Sequence, residues 1–361
     1  MTCMPKTPLA QAILGYQPAL VTGNELALLG TQLDASGWSI EVFEQCCSEL
    51  LDYAGQLQPS QRMAWVQALR AFWIGRGKAL EPAARIALLT LVNEWQDWPL
   101  LEAICLQLEE WGELEEWMLL SWSQALFQMG SDQAGDALRF YLSAFPDCEF
   151  GADLRILIDE QERWLEKQEL QPLPQNEKLL LIPMQHHHRD AFLWQYHDPE
   201  IAELCCLPTF TDGEQWHQWL DECYGYGDQL TLAIIHRDWG LVGQMALVMH
   251  GGVGFIYYWI GCDLRGMGLA PQAVELLLAH ARKDWGLETC YAKLFDFNGA
   301  SRRVLEKVGF VNLGISAVAP DEQEVFYRLG DAQSYQDSVQ ELHQLLVRMK
   351  SDVRIANLRV A

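Results

Sequence analysis

The stretch Gly-Phe-Ile-Tyr-Tyr-Trp-Ile-Gly at residues 254–261, with Arg-Gly-Met-Gly-Leu-Ala at 265–270, decides how this chain folds. The first part is rich in β-branched and aromatic residues, which is typical of a β-strand. The second part is a glycine-rich turn, after which apolar residues recur at helical spacing, and we expect the helix to begin at Pro271. A helix N-terminus behind such a turn presents several backbone N–H groups to an anion.

The turn therefore predicts a phosphate or pyrophosphate site. Glycines at 266 and 268 allow a ligand to approach the backbone, because no Cβ stands in the way. The alternative is an ordinary connecting turn, since glycine-rich turns before helices are common. The residues that we expect to hold the anion are Arg265, Gly266, Met267, Gly268, Leu269 and Ala270.

A second motif follows within the next 45 or so residues. A predicted strand from Thr289 to Phe295 leads to Asn298 and Ser301, which lie where a further helix begins. Both side chains are suited to cap that helix.

Together the two motifs resemble the GNAT superfamily of N-acetyltransferases, and within it the RimJ/RimL-like branch of ribosomal-protein N-terminal acetyltransferases. Arg265, Gly268 and Ala270 fit the acetyl-CoA pyrophosphate motif of that family, and Asn298-x-x-Ser301 with the run 305–310 fits its second motif. The resemblance covers about residues 179–329. It implies an α+β fold, a mixed sheet flanked by helices, preceded in this chain by a separate all-α region.

The resemblance also implies chemistry. Acetyl-CoA is the expected co-substrate, and an amine attacks its thioester directly within a ternary complex. The backbone around Trp259 and Ile260 is expected to polarise the thioester carbonyl in the manner of an oxyanion donor. Asn298 is expected to bond the cofactor, and Ser301 to hydrogen-bond the departing thiolate, with helix capping as the alternative role of Ser301.

The general base is where this sequence departs from its relatives, which often carry a glutamate near the strand before the phosphate turn. The run from Phe255 to Ile260 contains no carboxylate, and the nearest titratable candidates are His250 and Asp263. His250 titrates in a suitable range and is our candidate base, with a surface histidine as the alternative. Many relatives also carry a tyrosine that protonates the thiolate, where this chain has Leu305.

Composition narrows the partners. The formal net charge of the 361 residues is −24, and neither half of the chain is basic, which argues against nucleic acid. An acidic surface favours cationic partners, with plain solubility as the alternative explanation. No apolar run reaches membrane length and no signal peptide is evident, so we expect no membrane association and a cytoplasmic protein with reduced thiols.

We also expect no metal site. The ten cysteines show neither CxxC nor zinc-finger spacing. His186, His187 and His188 are adjacent, so on a helix they point in different directions and do not share one ion.

The organisation that we predict is an all-helical domain at 1–170, a proline-rich linker at 171–177, the acetyltransferase domain at 178–330 and a C-terminal helix at 331–361. The run from Trp122 to Pro146 weakly resembles a tetratricopeptide unit, so the first domain is predicted to be helical and repeat-like. Such a layer binds a protein or peptide partner, or else packs as a bundle. The C-terminal helix is expected to pack on the N-terminal helices or to mediate a homodimer.

The predicted function is acetyl transfer from acetyl-CoA to a primary amine, either a protein or peptide N-terminus or a small cationic amine. Two alternatives stay open. One is a degenerate acetyltransferase that senses acetyl-CoA or acts as an adaptor, and the other is an acyltransferase for a longer acyl-CoA.

Overall fold

The computed structural model describes residues 40, 43, 47, 50, 59–131, 133–149, 151–152, 154–156, 158–159, 173–225, 229–318, 323–351 and 353–355. The predictions for residues 1–39, for the start of the linker at 171–172 and for the basic chain end after 355 lie outside this part. The described residues form two compact units. The first is built from the helices before residue 162 together with the short segments 236–240 and 263–267, and the second from the rest of the sheet and its helices.

The regular elements that the structure describes between residues 40 and 159 are all helices, as predicted. The long helices are α1 (Pro59–Arg76), α2 (Pro82–Glu94), α3 (Trp98–Trp111), α4 (Glu116–Gln128) and α5 (Ala134–Ala144). The start of α3 shows why the breaks fall where they do: Asp97 accepts a hydrogen bond from the Leu100 N–H at 3.1 Å, and Pro99 occupies the first turn, where its missing donor costs nothing. Gly112 ends the helix at φ +71°.

Two apolar clusters hold this unit together. The larger is centred on fully buried residues of α1, α2 and α3, among them Trp65, Leu88 and Ile104. The smaller joins α4 to α5, the helix pair that the run from Trp122 to Pro146 predicted. Whether this pair is one member of a repeat stays a prediction.

The second unit is built on one seven-stranded mixed sheet. Its strands are β1 (Leu179–Pro183), β2 (Gln229–His236), β3 (Gly240–His250), β4 (Val253–Ile260), β5 (Thr289–Phe295), β6 (Val311–Ser316) and β7 (Glu324–Leu329). They lie in the order β1-β2-β3-β4-β5-β7-β6. Only β4 and β5 are recorded as a parallel pair among the registers that the structure describes, and β3–β4, β5–β7 and β6–β7 are antiparallel.

The helices of this unit are α6 (Arg189–Gln195), α7 (Pro199–Cys205), α8 (Gly213–Gly225), α9 (Leu269–Asp284), α10 (Gly299–Val308) and α11 (Tyr335–Arg348). They cover both faces of the sheet. Successive side chains of a strand point to opposite faces, so the contacts of neighbouring residues on β4 show which helices lie on each face. Tyr258 reaches Ser301 of α10, while its neighbour Trp259 packs edge-to-face on Phe192 of α6, with ring centroids 5.1 Å apart. α9 contacts α10 and therefore lies on the same face as Tyr258.

The C-terminal helix α11 packs on the sheet rather than on the predicted N-terminal helices, and its role in a dimer stays a prediction. Its apolar residues Val339, Leu342 and Leu346 are buried in one cluster with Phe255 and Phe326 of the sheet. In addition, the Tyr291 hydroxyl on β5 donates to the Glu341 carboxylate at 2.6 Å. The apolar face of the helix therefore packs against the sheet, on the same face as Trp259.

Two element boundaries also differ from prediction, and one short helix was not predicted. α9 begins at Leu269 with Gly268 as its N-cap, so Pro271 is the third helical residue, where its N–H would still lack a helix partner. The sequence predicts a strand from Ile315 to Ala319, but β6 starts at Val311, because the chain turns directly from Gly309, at φ +100°, into the strand. The short helix α7 was not predicted at all.

Candidate functional site

The central strands β4 and β5 separate from each other at one end. Their parallel register covers Val253 to Phe255 opposite Thr289 to Tyr291 and ends there, although the strands continue to Ile260 and Phe295. On their other sides both strands stay paired, β4 with β3 and β5 with β7. A wedge-shaped gap therefore opens in the middle of the sheet, between 256–260 and 292–295, and we call it the β4–β5 wedge.

The glycine-rich loop lies just beyond the open end of this wedge. Gly266 and Gly268 have φ values of +81° and +75°, a conformation that favours glycine. A Cβ on Gly266 would meet nothing within 4 Å, and one on Gly268 only the Gln272 amide at 4.0 Å. The space in front of both glycines is therefore open, and the first N–H groups of α9 follow directly, so the predicted anion site has the backbone that it needs.

The direction of backbone groups on β4 follows from its antiparallel pairing. The Gly261 N–H donates to the Val242 carbonyl of β3 at 2.9 Å, and N–H groups along such a strand alternate between its two neighbours. Trp259 therefore directs its N–H to β3, while Tyr258 and Ile260 direct theirs to the wedge. Of the two predicted residues, Ile260 offers an N–H to a ligand in the wedge and Trp259 supplies a buried indole wall.

Two hydroxyl groups meet on the α10 side of the wedge. The Tyr258 and Ser301 hydroxyls lie 2.8 Å apart. Burial raises the pKa of Tyr258, so the phenol keeps its proton and is able to donate it. Asn298 caps α10 by accepting the Ser301 N–H at 3.0 Å, so the alternative of Ser301 as the cap is wrong, and its hydroxyl is engaged with Tyr258 instead.

A buried carboxylate lies on the opposite side of the same wedge. Glu324 opens β7 directly across from Phe295, is only 2% exposed and forms an ion pair with Lys293 of β5. The Cys206 thiol at the end of α7 donates to the same carboxylate oxygen, Oε1, at 3.7 Å. The other oxygen, Oε2, is buried and has no hydrogen-bond partner among the described residues.

Tyr257 connects this carboxylate to β4. Burial, and after it the charge of Glu324, raises the pKa of Tyr257, which places the phenol near the carboxylate. Tyr257 and Tyr258 are consecutive, so their side chains leave β4 on opposite faces. The wedge thus has a carboxylate on the α7 side and a hydroxyl pair on the α10 side.

Comparison with protein families agrees with this geometry. Residues 178–311 match the family model of the acetyltransferase (GNAT) domain. This chain carries a GNAT domain. The comparison with curated proteins found no match to this chain.

Solved acetyltransferase structures are similar to this domain. An acetyltransferase from Salmonella typhimurium that modifies the N-terminal serine of ribosomal protein L7/L12 is 16% identical, over 44% of this chain and 97% of its own, with a TM-score of 0.39. RimJ from Mycobacterium smegmatis, in complex with CoA-disulfide, is 21% identical over 46% and 89%, with a TM-score of 0.38. The microcin C7 self-immunity acetyltransferase MccE, in complex with acetyl-CoA and AMP, is 14% identical over 43% and 94%, with a TM-score of 0.39.

The structure separates His250 from the rest of the GNAT site. It pairs with Val253 at the closed end of the β3–β4 hairpin, whereas Ile260, at the open end, pairs with Gly243. The seven residue steps from Gly243 to His250 span about 23 Å of extended strand. His250 is therefore not brought together with the phosphate loop or the hydroxyl pair.

Sequence reasoning missed Tyr258 and Glu324. Tyr258 was treated as part of the strand, because a tyrosine there is equally suited to sheet packing. Glu324 lies outside the quoted motifs, and only the pairing of β5 with β7 brings it to the wedge. The one signal for it was a carboxylate directly before the strand-forming run Val-Phe-Tyr at 325–327.

The position at which many relatives carry a tyrosine is occupied by a core residue. Leu305, at the position of the missing tyrosine, is fully buried in the core of the domain.

None of the helices in the described ranges is long and apolar enough to cross a membrane.

Proposed function

We propose that this protein is an N-acetyltransferase that transfers the acetyl group of acetyl-CoA to a primary amine. The observation that carries the proposal is the β4–β5 wedge itself. The glycine-rich loop lies at its open end, the Glu324 carboxylate on one side and the Tyr258–Ser301 hydroxyl pair on the other. Direct attack on a thioester needs this division, because the amine arrives on one side of the carbonyl and the thiolate leaves on the other.

Acetyl-CoA would lie with its pyrophosphate on the N–H groups of residues 265–270 and its thioester in the wedge. Arg265 adds a positive charge to the loop. The Ile260 N–H, directed into the wedge, would bond the thioester carbonyl and stabilise the negative charge that develops on it. Asn298 uses its oxygen as a helix cap, so its amide Nδ2 is the group that would donate to the cofactor.

The departing thiolate needs a proton, and the Tyr258–Ser301 pair would supply it. A neutral phenol 2.8 Å from a second hydroxyl forms a short relay, in which either group donates and the other restores the proton. From the sequence, Ser301 alone was expected to hydrogen-bond the thiolate. We propose that both hydroxyls share this role.

The incoming amine needs to lose a proton, and Glu324 is our candidate base in place of His250. Its Oε2 is buried next to the wedge and would accept a hydrogen bond from the amine, while Lys293 and Cys206 hold Oε1. A carboxylate held in this way orients an ammonium group by charge and takes its proton within hydrogen-bond reach.

The acceptor that this chemistry favours is a cationic amine, such as a peptide or protein N-terminus. A net charge of −24 attracts positively charged substrates and repels nucleic acid. The helical unit would then serve to hold a protein or peptide partner, in a cytoplasmic enzyme whose active form is monomeric or a homodimer.

Acetyl transfer to a defined set of amines tests the proposal. Wild-type protein is mixed with acetyl-CoA and with peptides carrying free N-termini or small polyamines, and the release of CoA thiol and the mass of each amine are followed. We expect acetylation of at least one amine, slowed about tenfold or more by Glu324→Gln. The matched control is Glu275→Gln, an exposed glutamate on α9, which should leave the rate unchanged.

Each other outcome identifies an alternative. Binding of acetyl-CoA without transfer to any amine would favour the sensing or adaptor function. Faster turnover with longer acyl-CoA substrates would favour the acyltransferase alternative. Full activity of Glu324→Gln would remove Glu324 from the mechanism.

A further inference from the structure

Three potential metal ligands converge at the exit of β4. His197 follows α6, and Cys262 and Asp263 begin the 3-10 turn Cys262–Leu264. One ligand atom from each, an imidazole nitrogen, the thiol sulfur and a carboxylate oxygen, lies within 4.8 Å of the other two. The closest approach, between Cys262 Sγ and His197 Nε2, is 3.4 Å.

The imidazole of His197 is already oriented as a metal ligand requires. Its Nδ1 lies 2.7 Å from the Trp194 carbonyl oxygen, which accepts hydrogen bonds only, so Nδ1 carries the proton. The lone pair is then on Nε2, the nitrogen that faces Cys262. Histidine ligands of metals characteristically donate their other N–H to a carbonyl or carboxylate, which fixes the ring and the tautomer.

The distances also suit a tetrahedral ion. Zinc–sulfur bonds of about 2.3 Å and zinc–nitrogen bonds of about 2.0 Å at a tetrahedral angle separate the two ligand atoms by about 3.5 Å. The observed 3.4 Å needs no movement of either side chain. The carboxylate oxygen lies within 4.8 Å of the other two ligand atoms, against about 3.5 Å in such a site, so binding would draw it closer by about 1 Å.

We propose that His197, Cys262 and Asp263 bind a divalent thiophilic metal ion of the zinc class, with three protein ligands and one position open to water. A thiolate with an imidazole selects zinc over magnesium or calcium, which prefer oxygen ligands. Binding replaces the thiol hydrogen between Sγ and Nε2 with the metal and releases that proton to solvent. His197 is exposed and the other two residues are partly exposed, so an ion from solution reaches all three.

The sequence predicts no metal site because these ligands have no local spacing along the chain. His197 and Cys262 are 65 residues apart, so only the packing of the α6 end beside the β4 exit brings them together. An ion at this point would join these two segments, and by binding the folded state alone it would raise the unfolding temperature.

Cobalt substitution tests the proposal without any assay of enzyme activity. Full-length protein, stripped of metal with a chelator, is titrated with Co²⁺, and the thiolate-to-cobalt charge-transfer band is recorded together with the visible bands of tetrahedral Co²⁺. We expect one Co²⁺ per chain, displaced by Zn²⁺, with Zn²⁺ also raising the unfolding temperature. Cys262→Ser should abolish the charge-transfer band, and His197→Ala and Asp263→Asn should each weaken binding by about tenfold or more.

Matched variants separate this site from incidental binding. Cys148→Ser removes a partly exposed thiol elsewhere in the chain, and His343→Ala removes a partly exposed histidine of α11, so both should bind Co²⁺ like wild type. Circular dichroism of each variant checks that it is folded, and Asp263→Asn keeps the side-chain volume if Cys262→Ser does not fold. Absence of stoichiometric binding, or a charge-transfer band that survives Cys262→Ser, would overturn the proposal.

Discussion

At the scale of single residues, the pairing of Tyr258 with Ser301 gives a direct prediction. Tyr258→Phe removes the phenolic proton but keeps the ring, so kcat should fall by about 10²-fold while the Kd for acetyl-CoA stays within about twofold. Stopped-flow detection of CoA thiol release measures the first quantity and calorimetry the second. Tyr335→Phe, on the exposed first turn of α11, is the matched control.

Ser301→Ala distinguishes the two hydroxyls. If they act as one relay, the double variant should lose little more than the worse single variant, because residues that act as a unit are not additive. An unchanged kcat in Tyr258→Phe would leave Ser301 as the sole donor and contradict the relay.

A buried histidine predicts acid sensitivity of the sheet unit. Burial lowers the pKa of His188 to about 3, and its Nδ1 accepts a hydrogen bond from the Gln185 N–H at 2.9 Å. The unfolded chain takes up this proton near pH 6.5 and the folded chain does not, so stability falls as the pH drops from about 6.5 towards 3. His187 is half-buried, and its pKa is lowered by burial and then by His188 and His186, so it adds to the effect.

The measurement is the free energy of unfolding of the sheet unit, from urea denaturation followed by near-ultraviolet circular dichroism between pH 7 and pH 4. His188→Asn keeps an acceptor for Gln185 but does not titrate. Its free energy of unfolding should decline less with falling pH, by about 1.4 kcal/mol per pH unit. Parallel pH profiles for wild type and variant would show that His188 does not titrate on unfolding.

Residue types made the conformation of the glycine-rich loop predictable and left the polar groups around the β4–β5 wedge unpredictable. Gly266 and Gly268 were identified from sequence because a left-handed turn before a helix restricts the residue type. Tyr258 and Glu324 could not be found in the same way, since a tyrosine or a glutamate at a strand position carries no such restriction. Their roles depend on distances to Ser301 and Lys293 that no local pattern encodes.

At the scale of elements, α11 should behave as part of the core of the sheet unit. Leu342→Ala, at a fully buried position against the sheet, should lower the free energy of unfolding by about 2–5 kcal/mol. Val347→Ala, on the same helix but 62% exposed, should change it by less than about 0.5 kcal/mol. Urea denaturation of both variants measures the difference, and equal effects would mean that the helix is not packed on the sheet in solution.

The elements themselves were predictable where their patterns were strong. β5 was predicted with its observed bounds because β-branched and aromatic residues end abruptly at Asp296 and Asn298. α7 was missed because a helix of this length leaves no periodic signal, even though Asp198 caps it and Pro199 opens it. The sequence did not predict that α11 packs on the sheet, since an amphipathic pattern shows that a face is buried but not against what.

At the scale of the whole molecule, charge predicts how acceptors are selected. A chain with a net charge of −24 attracts cationic amines over a distance that salt screens. The kcat/KM for a cationic acceptor should therefore fall several-fold between about 0.02 M and 0.5 M sodium chloride, and the kcat/KM for an uncharged amine should change little. Equal salt dependence for both acceptors would remove long-range charge as a determinant.

The organisation of the chain was predictable only in part. A long helical pattern before residue 168 predicted the first unit, and motif order predicted the GNAT domain. The partner of the helical unit was not predictable, because an apolar helix face that packs on its own bundle resembles one that binds a peptide. The proposed domain limits at 170, 178 and 330 stay predictions.

Acetyl-CoA binding tests the account most directly, by calorimetry on wild type and three glycine variants. Gly268→Ala and Gly268→Glu impose the same strained φ of +75°, but only glutamate places a negative charge where the pyrophosphate would lie. Gly286→Ala, at φ +70° with open space around it in the turn after α9, is the control for strain alone. The account predicts micromolar binding by wild type and Gly286→Ala, weaker binding by Gly268→Ala and none by Gly268→Glu. Wild-type protein that binds neither acetyl-CoA nor CoA, or a Gly268→Glu variant that binds like wild type, would contradict it.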